Sequence, residues 1–445
     1  MKKSMGQLTG IINSKNNIVF YTNDFRFSFM ASNPNERGIN VVEPDSSGFL
    51  HGTTHNKYSI SIYIGKNTLR FGGRQDVDVG ACLVSCSNVQ EADMEGFWGI
   101  QFVGGTLNSL FDRSRNAVDF SDDGRLIVNQ QDISKTYSVS IDGEICVVQI
   151  GSNSSFNSGI DGVHIRDNGV YLKILFPSKK PIKNAFGYYS VLKSMLSFMT
   201  FRGNVGVDEI YLLREKDSHG MQWPEAQLLI PKDCDFADKH YFRCLNFDDL
   251  SDCVAKLLEL LFTNTDKKPT YMFGFFPDDN QDVNVMSNAK IKEICSALEC
   301  EISFIDDLST EEDEKLAALI ETVKNTVKSH RKSAEKVSSK TYDLIFSSIN
   351  NWSMSASDRI AILYQRYEAE MLLLNDSSLH ITDKEIAEFV KYRNHITHGY
   401  HRVLDQNVAI TAYTLQGLVY CCILKRIGMN DDKIQELCRN KKLLS

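Results

Sequence analysis

Beyond Thr310 the chain has no proline and few glycines, and its apolar residues recur at helical spacing to the end. That text can fold only as packed helices, expected near 311–335, 340–350, 356–374, 383–398, 406–427 and 431–442, and so as a helical bundle. Upstream, to about residue 215, the texture is opposite. Short apolar or alternating runs such as Ile60–Ile64, Phe97–Val103, Tyr137–Ile141, Ile145–Ile150 and Val170–Phe176 are separated by Gly, Asn, Asp and Ser clusters. This is the pattern of a β-rich, sandwich-like domain. Between the two lies a mixed stretch. It carries a helical run over Phe247–Phe262, a strand-like Tyr271–Phe276 between Pro269 and Pro277, a helix over Ala289–Leu298 and a strand at Glu301–Ile305. A chain of 445 residues exceeds one ordinary core. The expected class is therefore α+β multidomain: a β-rich domain over 1–215, a small mixed α/β connector over 216–308, and an all-α bundle over 309–445.

The apolar and charged fractions, 42% and 24%, are those of a folded globular chain. The basic N-terminus lacks the apolar run of a secretory signal, and no stretch reads as the roughly 20 apolar residues that span a bilayer. A cytoplasmic protein without membrane partners is expected. The eleven cysteines are scattered and lack the paired spacing of zinc sites, which points to buried reduced thiols. Glycines at Gly72-Gly73, Gly104-Gly105 and Gly159 stand in no nucleotide-binding pattern and read as turn glycines. No cofactor is expected. A net charge of -8 argues against extended nonspecific nucleic-acid binding. Any RNA contact must be local, as on the basic face of Lys324, Lys328, Arg331, Lys332, Lys336 and Lys340, which reads first as a solvated helix surface.

The most informative text is Ile381 to Tyr400. Thr382 followed by Glu385 forms a capping box and Gly399 a stop, so one helix is delimited at both ends. Ile386, Phe389, Val390 and Ile396 mark its apolar stripe, and Arg393 falls on that stripe. A guanidinium there is costly unless it is paired or faces an interface. Arg393 and His398 are separated by roughly 140° around the helix axis and about 7.5 Å along it. One helix therefore does not aim both at one phosphate, whereas two copies across a twofold axis can.

These residue types suit metal-free phosphodiester cleavage. That chemistry removes a proton from a 2′-hydroxyl, stabilises a phosphorane and protonates the 5′-oxygen. Histidine exchanges protons near neutrality, and arginine offers a charged fork matched to phosphate oxygens. Asn394 can orient the phosphate or His398, while His395 and Tyr400 are candidates for contacting the substrate. The spacing alone also arises by chance, and a cation near a helix C-terminus is favourable in any protein.

Arg393-Asn394-His395-Ile396-Thr397-His398, at the end of a capped helix and followed by another long apolar one, resembles the RX4-6H signature of the HEPN superfamily. There the Arg is typically followed by a polar residue. The layout is similar to the ApeA-like anti-phage group, which joins a β-rich N-terminal domain to a C-terminal HEPN domain. The segments Phe97–Gly105 and Phe201–Tyr211 carry the N-terminal likeness. The resemblance implies an endoribonuclease in abortive anti-phage defence, cutting RNA such as tRNA anticodon loops and leaving 2′,3′-cyclic phosphate ends. It also implies a homodimer with Arg393, Asn394 and His398 in the catalytic site, and a phage-derived trigger met by the N-terminal domain.

Two other readings stay open. His395, His398 and His401 recur every third residue and invite a metal, although Gly399 interrupts the helix and only Asp405 offers a nearby carboxylate. The helical part can also serve only for dimerisation in a noncatalytic protein whose β-rich domain binds a trigger. Trp98, Trp223 and Trp352 read as packing aromatics before base-stacking ones.

Overall fold

The structure is a computed structural model. It describes residues 7–441 apart from 13–17, 32–38, 87–93, 112–118, 121–122, 124–125, 128–132, 160–161, 232–243, 266, 280, 306–307, 309–310, 334, 351–354, 375–379 and 400–402. The chain divides into two compact units, Met1–Thr263 with Asp278–Asn280, and Asn264–Pro277 with Gln281–Ser445.

In the first unit, thirteen antiparallel strands join in one continuous sheet. From one edge the order is Ile133–Ile141, Glu144–Gly159, Gly162–Pro181, Gly96–Val103, Glu209–Leu213 and Pro224–Leu229. It continues through Ala81–Ser85, Ser59–Tyr63, Phe49–Thr54, Thr9–Ile12, Ile18–Asn23 and Arg26–Ala31 to Arg74–Asp78. Alternation builds each strand: in Ile18–Asn23, Ile18, Phe20 and Thr22 are buried while Val19 and Tyr21 are half-buried. The inward residues of the second group, among them Phe20, Phe27, Phe29, Ile60 and Ile62, form one apolar cluster with Val42, Leu69 and Phe71 of a small two-stranded sheet. Among the described residues the strands thus form one large hydrogen-bonded antiparallel sheet with two small two-stranded satellites. Period-two alternation reports one buried face per strand and is silent on how many sheets the strands share.

The other end of the sheet is covered by helices. These are α1 (Leu107–Leu110), α2 (Asn184–Thr200), α3 (Phe247–Leu250) and α4 (Cys253–Thr263). Tyr188 of α2 stacks on Phe176 at 4.9 Å and meets Phe262 of α4 edge-on at 5.7 Å. Glu259 of α4 accepts from the Ser140 N–H at 2.9 Å, tying that helix to the edge strand.

The second unit comprises α5 (Asn288–Ile302), α6 (Glu311–Arg331), α7 (Ser339–Asn350), α8 (Ala356–Arg366), α9 (Glu368–Leu374), α10 (Asp383–Thr397), α11 (Gln406–Arg426) and α12 (Asp431–Lys441). At its centre lies α11, with nearly every side chain from Thr411 to Leu424 buried. By length and composition α11 is apolar enough to cross a membrane, yet 78% of its apolar window is buried inside the protein, as in the core helix of a bundle. Helices α6 and α7 pair through His330 Nδ1 and the Tyr342 hydroxyl, 2.8 Å apart. On this hairpin Lys328, Arg331, Lys332, Lys336 and Lys340 are exposed and Lys324 is half-buried.

Three expectations change here. The stretch 216–308 is not a connector with its own core, because strand Pro224–Leu229, α3 and α4 belong to the first unit and α5 to the second. Tyr271–Phe276 is a turn, with the Phe276 N–H donating to the Phe273 carbonyl at 3.0 Å and the two rings stacked at 4.9 Å. Helix α5 runs on through Ile302, so Glu301–Ile305 is a helix end instead of a strand. In both places a short apolar run fits strand or buried non-strand text equally well.

Candidate functional site

Both ends of α10 are built as its residues dictate. The Glu385 carboxylate accepts from the Thr382 N–H at 2.8 Å, and Thr382 Oγ1 accepts from the Glu385 N–H at 3.4 Å. The Thr382 contacts hold the Glu385 carboxyl below its ordinary value, against mild burial. At the other end His398 is the C-cap, its N–H donating to the Asn394 carbonyl at 3.1 Å. Gly399 follows at φ +83°, a left-handed turn that closes the helix cheaply only with glycine.

Ile386, Phe389, Val390, Tyr392 and Ile396 bury the inner face of α10. Tyr392 donates its hydroxyl proton to Asn288 Oδ1 at 2.9 Å, anchoring α10 to the first turn of α5. Arg393 lies beside this face with its side chain only 21% exposed. Its Nη2 donates to the Glu299 carboxylate of α5, and its Nη1 to Asn394 Oδ1 at 3.0 Å. Below them, Cys295 is buried and approaches Glu299 Oε1 at 3.9 Å. Burial pushes its thiol up to about 11, Arg393 pulling the other way. The charge that looked misplaced on the apolar stripe is therefore paired within the chain. The sequence contained one clue to Glu299, since a guanidinium on a buried stripe requires an acceptor, but no spacing rule picks the carboxylate from another helix.

The other expected site residues are placed unevenly. Asn394 contacts Arg393 through its side chain and receives the His398 N–H through its carbonyl. His398 is exposed, and among the described residues no hydrogen bond joins it to Arg393. His395 is half-buried. Tyr400 and His401 lie outside the described residues. Among the described residues no group of three His, Cys, Asp or Glu side chains is arranged to hold a metal ion, and the three-histidine reading includes His401, which lies outside them. Trp98 is half-buried, Trp223 is 48% exposed with its Nε1 donating to Asp217 at 3.0 Å, and Trp352 lies outside the described residues.

A second ion pair lies on the same helix as Glu299. Arg426 at the end of α11 donates from Nε and Nη2 to both oxygens of Glu301, at 3.0 and 2.7 Å, and lies 4.4 Å from the Phe304 ring centre. Glu301 is 2% exposed, and burial pushes its carboxyl up to about 7 although Arg426 pulls it down. Helix α5 therefore supplies carboxylates to cations on both neighbouring helices.

Arranged this way, the α10 end can present an oriented guanidinium and, on its outer side, an exposed imidazole. The pair can bind an anion and exchange a proton, but at separate positions on one chain. Comparison of the chain with family models, curated proteins and solved structures found no match.

Proposed function

We propose that this protein is a metal-independent endoribonuclease of the HEPN type. Two copies meet so that the Arg393 of each, with Asn394, and the exposed His398 form composite sites for an RNA phosphodiester. Arg393 binds the phosphate and neutralises the phosphorane, and His398 moves the proton to or from the sugar oxygens. The observation that carries this reading is the C-terminal end of α10: a capped helix whose guanidinium is held by Asn394 and Glu299, with an exposed imidazole at the adjoining cap. The setting is cytoplasmic, as part of an ApeA-like abortive response to phage. tRNA is the substrate class, the products end in 2′,3′-cyclic phosphate, and the first unit receives the trigger. The test is incubation of the purified chain with total RNA in EDTA, with and without infected-cell extract, beside Arg393→Ala and His398→Ala. Discrete cuts lost in both variants support the nuclease. Folded wild type that stays inert in every condition overturns it.

One observation favours a second reading. The Arg393–Glu299 pair satisfies the guanidinium without any phosphate. On that reading the α10 end is structural and the protein is a noncatalytic trigger binder that dimerises through its helices. Equal phage protection by wild type and both variants would support it.

A further inference from the structure

The first unit contains an open cleft of about 630 Å³, within the size range of small-molecule sites. Its floor is a cross-strand row. Tyr211 pairs with Gln227 and Gln227 with Val84 on successive antiparallel strands, which sets the three side chains on one face. One wall is the turn from Thr54 to Tyr58, held by the Tyr58 N–H donating to Thr54 Oγ1 at 3.0 Å. The His55 N–H donates to the Thr9 carbonyl at 2.7 Å, fixing that turn to the first strand. The cleft is thus formed before any ligand arrives.

Its lining contains no Lys, Arg, Asp or Glu. Three residues with side-chain carboxamides, Gln7, Asn56 and Gln227, line it, and none of these carboxamides has a hydrogen-bond partner among the described residues. Each presents an adjacent donor and acceptor, the pattern that matches the edge of a nucleobase. Tyr58 and Tyr211 add aromatic faces. Just outside, Tyr211 donates to the Glu209 carboxylate at 2.9 Å, and Glu225 acts with burial to keep the Cys86 thiol at the rim protonated. Carboxylates near the mouth oppose a phosphate, and the lining offers no Lys or Arg to offset them, His55 being its one basic side chain.

We propose that this cleft binds an uncharged nucleoside or free nucleobase, through the carboxamides of Gln7, Asn56 and Gln227, and discriminates against its phosphorylated forms. The inference stands apart from the nuclease reading, because it involves only the first unit and no catalytic step.

Cys86 supplies the probe. Alkylation of the full chain by iodoacetamide, followed site by site by mass spectrometry, is run with each of the four ribonucleosides and with its 5′-monophosphate. Cys253 and Cys300, both half-buried, serve as internal references. At least one nucleoside is expected to slow Cys86 alkylation saturably while leaving both references unchanged, with its monophosphate binding at least about tenfold more weakly. Asn56→Leu, on an exposed turn, and Gln227→Leu are each expected to weaken that protection about fivefold. The proposal is overturned if no nucleoside protects Cys86 at millimolar concentration, if monophosphates protect equally, or if neither variant changes the protection. It is overturned as well if the uncharged peptide acetyl-Gln-Gln-amide protects better than every nucleoside, which would mark a peptide groove.

Discussion

On the proposed function, Arg393 is a cation with two competing uses. Its fork is engaged by Glu299 and Asn394 in the single chain, and an RNA phosphate requires some of the same donors. Glu299 is 45% exposed, so the pair is a partly screened one, worth at most about 1 kcal/mol. Glu299→Gln keeps an acceptor and removes the charge that opposes a phosphate. In steady-state cleavage of a synthetic RNA, KM is expected to fall by up to about fivefold with kcat unchanged. A drop in kcat instead would make Glu299 a support for Arg393 geometry. Arg393→Lys keeps the charge but loses the fork, and kcat/KM is expected to fall about a hundredfold. Retention of wild-type cleavage in Arg393→Lys would remove phosphate recognition from this residue.

At the scale of elements, α10 depends on its caps because both candidate catalytic groups lie in its last turns. Thr382→Ala deletes one half of the capping box and is expected to cost about 1 kcal/mol in urea unfolding. The Glu385 half is pH-dependent. Its pKa is lowered below the ordinary 4.5, so its contribution is present above that value and lost as pH falls through the lowered one. The stability gap between wild type and Glu385→Gln is therefore expected to narrow under acid conditions. A gap constant from pH 7 to pH 3 would mean that the carboxylate contributes nothing to the cap. The capping box and the closing glycine were both legible in the sequence, because caps are local. The partner of Arg393 was not, because Glu299 reaches it from a helix 94 residues earlier in the chain.

For the whole molecule, the decisive element is α5. It buries Ile291, Ile294, Cys295, Ala297 and Leu298, and it supplies Glu299 and Glu301 to α10 and α11. A fragment beginning at 309 omits it. That fragment is expected to lose cooperative thermal unfolding by circular dichroism, while a fragment over 264–445 retains it. Equal melting of the two would show that α5 is dispensable to the core. Glu301 adds a pH signature of opposite sign to Glu385. Its carboxyl is raised from 4.5 to about 7, so its contribution is full below the lower value and is lost as pH rises through the upper one. In the 264–445 fragment, wild type is expected to lose stability relative to Glu301→Gln between pH 4.5 and 7, by at most about 3 kcal/mol. Parallel pH profiles would show that Arg426 fully compensates the burial.

The sequence by itself determined the division into strand-rich and helical halves, the limits of α10, and the helices from 311 onward except that the one expected over 356–374 breaks at Tyr367 into α8 and α9. Those properties depend on periodicity, proline and glycine placement, and caps, all of which act within a few residues. Only the tertiary structure decided that thirteen of the strands share one sheet, that α5 belongs with the helical bundle, and that Arg393 is met by Glu299. Each of those depends on which distant segment covers an apolar face or a charge, and burial energy rewards the covering without specifying, in local text, which segment provides it.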